Sequence, residues 1–415
     1  MITQNKLTRV LVILFVTALM AGCAAPKATL APIPTLPPRP TIPTPAPPLQ
    51  TVKPTGQPLQ PTGQTEVFKF VRTIQIAPDA NFEDAALGYI HYVPATDRFV
   101  VMLATQLTKS VSLTYPSQDC GGKAIGYKEY TTDMEPTDKY GFISCAAADA
   151  TSQIIGNDVY LASMTAGPVT SGGKPEWIGW RLEKFDAVSW KRLASVDLPL
   201  DVPIEMDDGP TIALINGQIT VSGEYFPDGT PDGPLGRGSH HHFFTTDLEP
   251  LGKKILVAPE YPSHCPEVSM IQEPGGDILM FASTAYVGDL IVLRFDKDWN
   301  FKEQKKLRDK AFFPTGSVTD GRLFYVAYTD TSHREGERMY RNVGFAAYDA
   351  NWNTLQDVAV TDFAVTSESY IDGESPWVEL HDNRLYVSYI ASTLDPDTGR
   401  LVSGQAFVNV YELTP

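Results

Sequence analysis

The sequence predicts an all-β fold, a β-propeller of six four-stranded blades closed by an N-terminal strand. Three observations in its 415 residues predict this fold: a strand that recurs six times, a hairpin that ends in that strand, and a turn that recurs after the next strand. The copies are spaced by roughly fifty to sixty residues, as expected for four short strands and their loops.

The recurring strand follows a turn residue and is rich in Val, Tyr, Phe and Leu. Its six copies are Arg98 to Ala104, Asp158 to Met164, Gln218 to Tyr225, Asp277 to Thr284, Arg322 to Tyr328, and Arg384 to Ile390. A shorter apolar stretch precedes each copy, for example Ile212 to Ile215, and a tight turn such as Asn216-Gly217 joins the two. Such pairs are typical of β-hairpins.

A third strand follows in each repeat, and in five copies it runs into an aspartate. These aspartates are Asp133, Asp186, Asp247, Asp296 and Asp349. The turns that follow carry Trp190, Trp299, Trp352, Pro136 and Pro250. The recurrence predicts one turn type at the same place in each blade.

The sixth copy stops at its third strand, Ala406 to Leu413, where the chain ends. We expect its fourth strand to be Glu66 to Ile76, because this strand precedes the first blade and has no other partner. Ring closure would remove an open sheet edge, which otherwise invites aggregation. The alternatives are a five-bladed ring with an extra hairpin, or two packed sandwiches.

The N-terminus predicts export. Residues 1–22 contain Lys6 and Arg9, the apolar run Val10 to Ala18, and small residues before Cys23, a pattern typical of a signal peptide and too short for a spanning helix. The placement of Cys23 resembles the lipobox of bacterial lipoproteins, in which the cysteine is lipidated and becomes the mature N-terminus. The resemblance implies an extracytoplasmic, lipid-anchored protein; the alternative is a secreted protein without lipid.

The segment 23–64 is expected to be a stalk. Thirteen prolines and no aromatic residue occur between Ala24 and Gln64, so the segment cannot bury a core and is expected to be extended. The propeller domain would then comprise residues 65–415.

Charge and cysteine content limit the function further. The formal net charge of −16 argues against a nucleic-acid partner, and we expect no cofactor and a monomeric chain. With Cys23 lipidated, three cysteines remain, and we predict a Cys120–Cys145 disulfide with Cys265 as a buried thiol.

One face of the predicted propeller carries the long loops, and binding residues usually lie on such loops. Tripeptides containing proline open several innermost strands on this face: Gly209-Pro210-Thr211, Cys265-Pro266-Glu267, Phe313-Pro314-Thr315 and Ser375-Pro376-Trp377. They resemble motifs of the invertase-type and arabinanase-type propeller glycosidases, which carry carboxylates beside such prolines. Here His264 stands before Cys265-Pro266, where those families have glutamate.

Acids that could surround the mouth of the funnel are Asp84, Asp149, Asp208, Glu267 and Glu374. Among them Asp208 and Glu267 are the candidate catalytic pair. Ligand-binding candidates are His264, His242, Tyr225, Tyr261, Trp377 and Glu374, because aromatic surfaces beside polar groups suit a sugar ring. His240 and His242 share one strand face and, with His264, could hold a divalent metal; the alternative is hydrogen-bonded histidines.

The sequence therefore predicts a cell-surface lipoprotein whose loop face binds an extracellular ligand, with a glycan as the leading candidate. One alternative is a glycoside hydrolase that uses Asp208 and Glu267, since most such enzymes need two carboxylates. Another is a scaffold that docks other envelope proteins.

Overall fold

Six four-stranded antiparallel sheets and one short hairpin make up the described part of the chain. The computed structural model describes residues 66–76, 85–106, 123–145, 150–169, 175–199, 210–225, 238–257, 268–284, 288–332, 334–335, 338–363, 370–394 and 401–414. These residues lie within one compact unit, Pro54–Pro415. They contain no helix with the length and apolar character needed to cross a bilayer.

Each sheet is one blade, and the strands are numbered along the chain. The N-terminal strand is β1 (Phe68–Gln75). Blade 1 contains β2 (Ala85–Val93), β3 (Arg98–Gln106), β4 (Lys123–Tyr130) and β5 (Pro136–Ser144). Blade 2 contains β6 (Ala150–Ile155), β7 (Asp158–Val169), β8 (Pro175–Asp186) and β9 (Arg192–Pro199). Blade 3 contains β10 (Thr211–Ile215), β11 (Gln218–Tyr225), β12 (Gly238–Phe244) and β13 (Pro250–Val257).

The second half of the ring has the same arrangement. Blade 4 contains β14 (Ser269–Gln272), β15 (Ile278–Ser283), β16 (Leu290–Phe295) and β17 (Phe301–Arg308). Blade 5 contains β18 (Ala311–Thr319), β19 (Phe324–Asp330), β22 (Asn342–Tyr348) and β23 (Thr354–Ala359), with the small hairpin β20 (Arg334–Glu335) and β21 (Arg338–Met339) inserted. Blade 6 contains β24 (Tyr370–His381), β25 (Arg384–Leu394), β26 (Leu401–Leu413) and β1.

The innermost strands form a closed ring. Each innermost strand contacts the innermost strand of the next blade, in the order β2, β6, β10, β14, β18 and β24, and β24 in turn contacts β2. The prediction of six four-stranded blades is confirmed, and both the five-bladed ring and the packed sandwiches are excluded.

The N-terminal strand closes the ring as predicted. β1 pairs antiparallel with β26, from Phe68 opposite Leu413 to Gln75 opposite Phe407. The buried side chain of Gln356, on the outermost strand of blade 5, also holds this strand: its Oε1 accepts hydrogen bonds from the N–H groups of Val67 (2.8 Å) and Phe68 (3.0 Å), and its Nε2 donates to the Phe68 carbonyl (3.0 Å).

Hydrophobic cores lie between neighbouring blades, and the recurring turn contributes a large side chain to them. This turn places one residue in the left-handed region, with φ between 58° and 66°, in five blades: Met134, Trp190, Leu248, Trp299 and Trp352. Trp190, for example, stacks on Tyr127 of the preceding blade at 3.7 Å and donates its indole N–H to Glu129 at 3.1 Å.

The residue that caps this turn is an aspartate in blades 2, 4 and 5 and a threonine in blades 1 and 3. In blade 4, for example, the side chain of Asp296 accepts hydrogen bonds from the N–H groups of Asp298 and Asn300. In blades 1 and 3 the same role belongs to Thr131 and Thr245, which accept from the residue four positions later. Asp133 and Asp247 lie two residues further along, so these turns share a capping side chain and a left-handed residue but not the position of the aspartate.

The two faces of the ring differ as predicted. Tight turns join first to second strands and third to fourth strands on one face, as at Asn216-Gly217 and Asp296 to Asn300. The opposite face, here called the long-connection face, carries the second-to-third connections and the links between blades. In blades 2 and 6 the strands themselves form part of the second-to-third connection, since the β7–β8 hairpin extends to Val169 and Pro175 and the β25–β26 hairpin to Leu394 and Leu401.

Candidate functional site

The predicted catalytic pair, Asp208 and Glu267, lies outside the described residues and stays a prediction. The same holds for two predicted ligand-binding residues, Tyr261 and His264, and for the acids Asp84 and Asp149. Tyr225 ends β11 in blade 3 and Glu374 lies in β24 of blade 6, so these two residues belong to blades that are not neighbours in the ring.

The predicted disulfide is described at one end. Cys145, just after β5, is disulfide-bonded. Cys120 and Cys265 both lie outside the described residues, so the pairing with Cys120 stays a prediction.

His240 and His242 lie side by side on the face of β12 that points towards blade 2. His240 Nδ1 and His242 Nε2 are 3.2 Å apart. The Trp180 ring of blade 2 covers both, with centroid distances of 4.8 Å to His240 and 6.4 Å to His242. Gly223, opposite His240, makes room for this indole, because a Cβ at that position would lie 2.0 Å from the Trp180 ring.

His241 points the other way and is fully buried against blade 4. Its Nδ1 lies 2.6 Å from Ser222 Oγ, its Nε2 lies 2.9 Å from Ser239 Oγ, and its ring packs on Trp299 at 4.4 Å. Burial, reinforced by the neighbouring His240 and His242 and by Lys254, holds the pKa of His241 well below its usual range. His241 is therefore a neutral core histidine with both ring nitrogens engaged.

The metal hypothesis depends on His264. Within the described ranges there is no cluster of three or more His, Cys, Asp or Glu side chains that could hold a metal ion. The 3.2 Å between the two ring nitrogens fits a histidine–histidine hydrogen bond. Metal binding by His240, His242 and His264 stays a prediction.

Trp377 lies on the innermost strand of blade 6, and a β-bulge positions it. The register of β24 shifts between Glu374 and Trp377, and Ser375 has a φ of 51°. Blade 5 has the same device before Gly316, with Phe313 at a φ of 44°. The predicted proline tripeptides of these two blades are thus bulges, where a residue without an N–H group is tolerated.

Trp377 belongs to a group of side chains on the innermost strands of blades 1, 2 and 6. Its indole packs edge-on against Tyr89 (4.9 Å) and His91 (5.2 Å) of blade 1. His91 Nε2 lies 2.8 Å from Ser152 Oγ of blade 2, and His91 Nδ1 lies 3.8 Å from the carboxylate of Glu379. We call His91, Ser152, Trp377 and Glu379 the axial group.

The sequence indicated Trp377 but missed the rest of the axial group. His91 and Ser152 are buried polar residues within apolar innermost strands, at 1% and 0% exposure, and this pattern could have marked them. Only ring closure brings them beside blade 6, so no local motif contains them.

Side-chain hydrogen bonds cross all six blade junctions, at or beside the innermost strands. Besides His91 with Ser152, they are Thr151 to the Pro210 carbonyl, Asn216 with Gln272, Ser269 with Ser317, Thr315 to the Pro376 carbonyl, and Ser388 to the Gly88 carbonyl. This belt fixes the innermost strands relative to one another and so holds the axial group in place.

An ionic cluster lies between blades 4 and 5, near the long-connection face. Arg308 pairs with Asp357 and, at 3.1 Å, with Asp330. The Tyr328 hydroxyl donates to Asp357, and Gly344 leaves space for that ring. Burial raises the pKa of Asp357, although Arg308 and Tyr328 oppose the shift. Both acids are engaged by Arg308, so the cluster is a structural link between the blades.

The comparisons with known proteins find similarity of fold and none of sequence. No protein-family model and no curated protein matches the sequence. Similar solved structures include a Dyadobacter fermentans protein of unknown function, with a TM-score of 0.62 and 14% identity over 84% of this chain and 100% of that chain. The phage phi92 endosialidase has a TM-score of 0.51 and 10% identity over 83% of this chain and 69% of its own.

A further similar structure is an exo-1,5-α-L-arabinanase from a bovine ruminal metagenomic library, with a TM-score of 0.39 and 14% identity over 63% of this chain and 92% of that one. The predicted resemblance to propeller glycosidases is confirmed as a likeness of fold. At these identities it does not extend to the site residues.

Proposed function

We propose that this chain is an exported lipoprotein, anchored through Cys23, whose propeller binds an extracellular glycan on its long-connection face. The observation that carries the proposal is the asymmetry of the ring. Tight, hydrogen-bonded turns close one face, whereas the long connections all leave from the other. Binding residues are usually carried by long connections on a rigid scaffold.

Two further features support a glycan as the ligand. The predicted residues Asp208, Glu267, His264 and Tyr261 belong to the blade-to-blade connections of this face, which combine acids with an aromatic ring. The net charge of −16 disfavours polyanions and is compatible with a neutral sugar. The likeness of fold to an endosialidase agrees with a glycan as the class of ligand.

A glycan array tests the proposal. The probe is the Cys23→Ser chain, which should be exported without lipid and remain soluble. We expect selective binding to a small set of glycans, and loss of this binding in Glu267→Ala with the melting temperature within a few degrees of the parent. Absence of binding to any glycan, or binding that Glu267→Ala leaves intact, would contradict it.

Hydrolysis is the second candidate, since the endosialidase likeness and the Asp208–Glu267 pair both favour it. Incubating each bound glycan with the protein and analysing the products separates the two functions. Cleavage that Asp208→Asn and Glu267→Gln each abolish would assign a hydrolase, because both carboxylates are needed. An intact glycan after prolonged incubation would assign a binding protein.

The anchor is tested by fractionation. The parent chain should sediment with membranes and carry lipid on Cys23, because several acyl chains hold a protein stably whereas the proline-rich stalk cannot embed itself. The Cys23→Ser chain should be soluble, and mass spectrometry should find no lipid on it. Continued sedimentation of this variant with membranes would rule out the proposed anchor.

A further inference from the structure

We propose that the axial group is a second binding site, which takes the hydroxyl groups of a small neutral polyol. It lies among the innermost strands of blades 1, 2 and 6 and uses none of the residues proposed to bind the glycan except Trp377. The proposal therefore stands or falls separately from glycan binding through Glu267.

The first requirement is an acceptor for Trp377. This side chain is 8% exposed, and its Nε1 is buried without a hydrogen-bonding partner among the described residues. An indole N–H can only donate, and leaving it buried and unpaired costs free energy. The ligand must therefore present an acceptor beside the indole.

The second requirement is a bridge between His91 and Glu379. His91 is 1% exposed, and its Nε2 is engaged by Ser152. Its Nδ1 is buried, has no hydrogen-bonding partner within the described ranges, and lies 3.8 Å from the nearest Glu379 oxygen. This separation is too long for a direct hydrogen bond, and an interposed oxygen is the usual solution across such a gap.

A hydroxyl group meets both requirements. It can accept from the Trp377 N–H, and it can donate to the Glu379 carboxylate or to an unprotonated His91 Nδ1. A metal cation cannot accept from an indole, and a carboxylate or phosphate cannot donate and would be repelled by Glu379. Two neighbouring hydroxyls on a carbon skeleton would reach the two rings, whose centroids are 5.2 Å apart.

Exposure limits the size of the ligand. The Glu379 side chain is 23% exposed, whereas the two rings are nearly covered. The ligand would thus enter past Glu379 and be small, on the scale of glycerol, erythritol or myo-inositol. The ring edges of Tyr89 and Trp377 would contact its C–H groups.

Isothermal titration of the full-length chain, solubilised in a detergent that has no sugar or polyol groups, tests the proposal. Glycerol, erythritol and myo-inositol are the probes. We expect at least one to bind saturably with a Kd below about 10 mM. Trp377→Phe keeps the aromatic packing but removes the N–H donor, and it should weaken binding roughly tenfold or more. Trp299→Phe, an equally buried indole far from the axis, should not.

Glu379→Leu is the second variant, because its partly exposed side chain can be replaced if Trp377→Phe does not fold. It removes the acceptor and should likewise weaken binding at least about tenfold. Failure of all three polyols to bind saturably would overturn the proposal. So would unchanged affinity in both variants, or a crystal soaked in these polyols that shows only an ordered water between His91 and Glu379.

Discussion

Single side chains at the ends of the third strands cap the third-to-fourth turns of blades 1 to 5. Asp296 and Asp349 each accept hydrogen bonds from two backbone N–H groups and from the side chain of the asparagine four residues later, Asn300 or Asn353. These bonds, the asparagine side chain first and its backbone next, lower the pKa of both aspartates. The ionised carboxylate is therefore the form that stabilises the turn.

Asp349→Ala should destabilise the protein at neutral pH and have little effect in strong acid. A carboxyl whose pKa is lowered by folding contributes stability above its unfolded pKa, about 3.9, and loses it as the pH falls through the folded value. Urea unfolding of parent and variant from pH 7 to pH 2.5 measures this. Asp298→Ala in the neighbouring blade, which removes an exposed acid outside the capping position, is the control. A difference between parent and Asp349→Ala that is constant across this range would contradict the assignment.

His241 should make stability fall as the medium is acidified below pH 6.5. Its pKa is lowered by burial, so the unfolded chain takes up a proton near pH 6.5 while the folded chain does not. The contribution of the neutral His241 to the free energy of unfolding is therefore fully present above this pH. Below it, this free energy falls with a slope that approaches about 1.4 kcal/mol per pH unit. His241→Gln should cost stability at pH 8 and show a shallower decline from pH 7 to 5. Parallel curves for parent and variant would refute the buried, neutral histidine.

At the scale of elements, the sequence predicted strands better than the contacts between them. The N-terminal strand was predictable because the sixth repeat lacks a fourth strand. Gln356 was not, since nothing in its own strand indicates that its amide is bonded to the backbone of β1. The His240-His241-His242 run shows the same limit: strand alternation predicted its two faces, but the Trp180 ring that covers one face comes from another blade.

Gln356→Ala should loosen the closing strand. It leaves two N–H groups and one carbonyl at Val67 and Phe68 without their partner, which should lower the free energy of unfolding by about 2 to 4 kcal/mol. Gln304→Ala is the matched control, because Gln304 is exposed on the outermost strand of blade 4 and should change stability by less than about 0.5 kcal/mol. Equal effects of the two substitutions in chemical unfolding would mean that the Gln356 bonds do not hold β1.

At the scale of the whole molecule, the blade number and the mode of closure followed from repeat counting. The axial group could not be predicted in this way, because His91 lies in the first blade and Glu379 in the last, and the two meet only when the ring closes. The polar belt has the same origin: Thr151, Ser269 and Thr315 would each be ordinary strand residues in an isolated blade. The axial group is thus a property of the closed ring, in which β1 completes blade 6.

A chain that starts at Pro78 should therefore lose both stability and cooperativity compared with one that starts at Thr65. It lacks the pairing of β1 with β26 and leaves an open edge on blade 6. It also loses the burial of Val67, Phe68 and Ile76, which belong to the cores beside blades 5 and 1. At about 1 kcal/mol per backbone hydrogen bond and 1.5 to 3 kcal/mol per buried Val, Phe or Ile, the free energy of unfolding should fall by at least about 5 kcal/mol.

An open row of blades should behave like a linear repeat array. Calorimetry should therefore show a broader transition at a lower temperature for the Pro78 chain, whereas the Thr65 chain should match the full-length protein. Equal melting temperatures for the two truncated chains would show that β1 does not hold the ring closed.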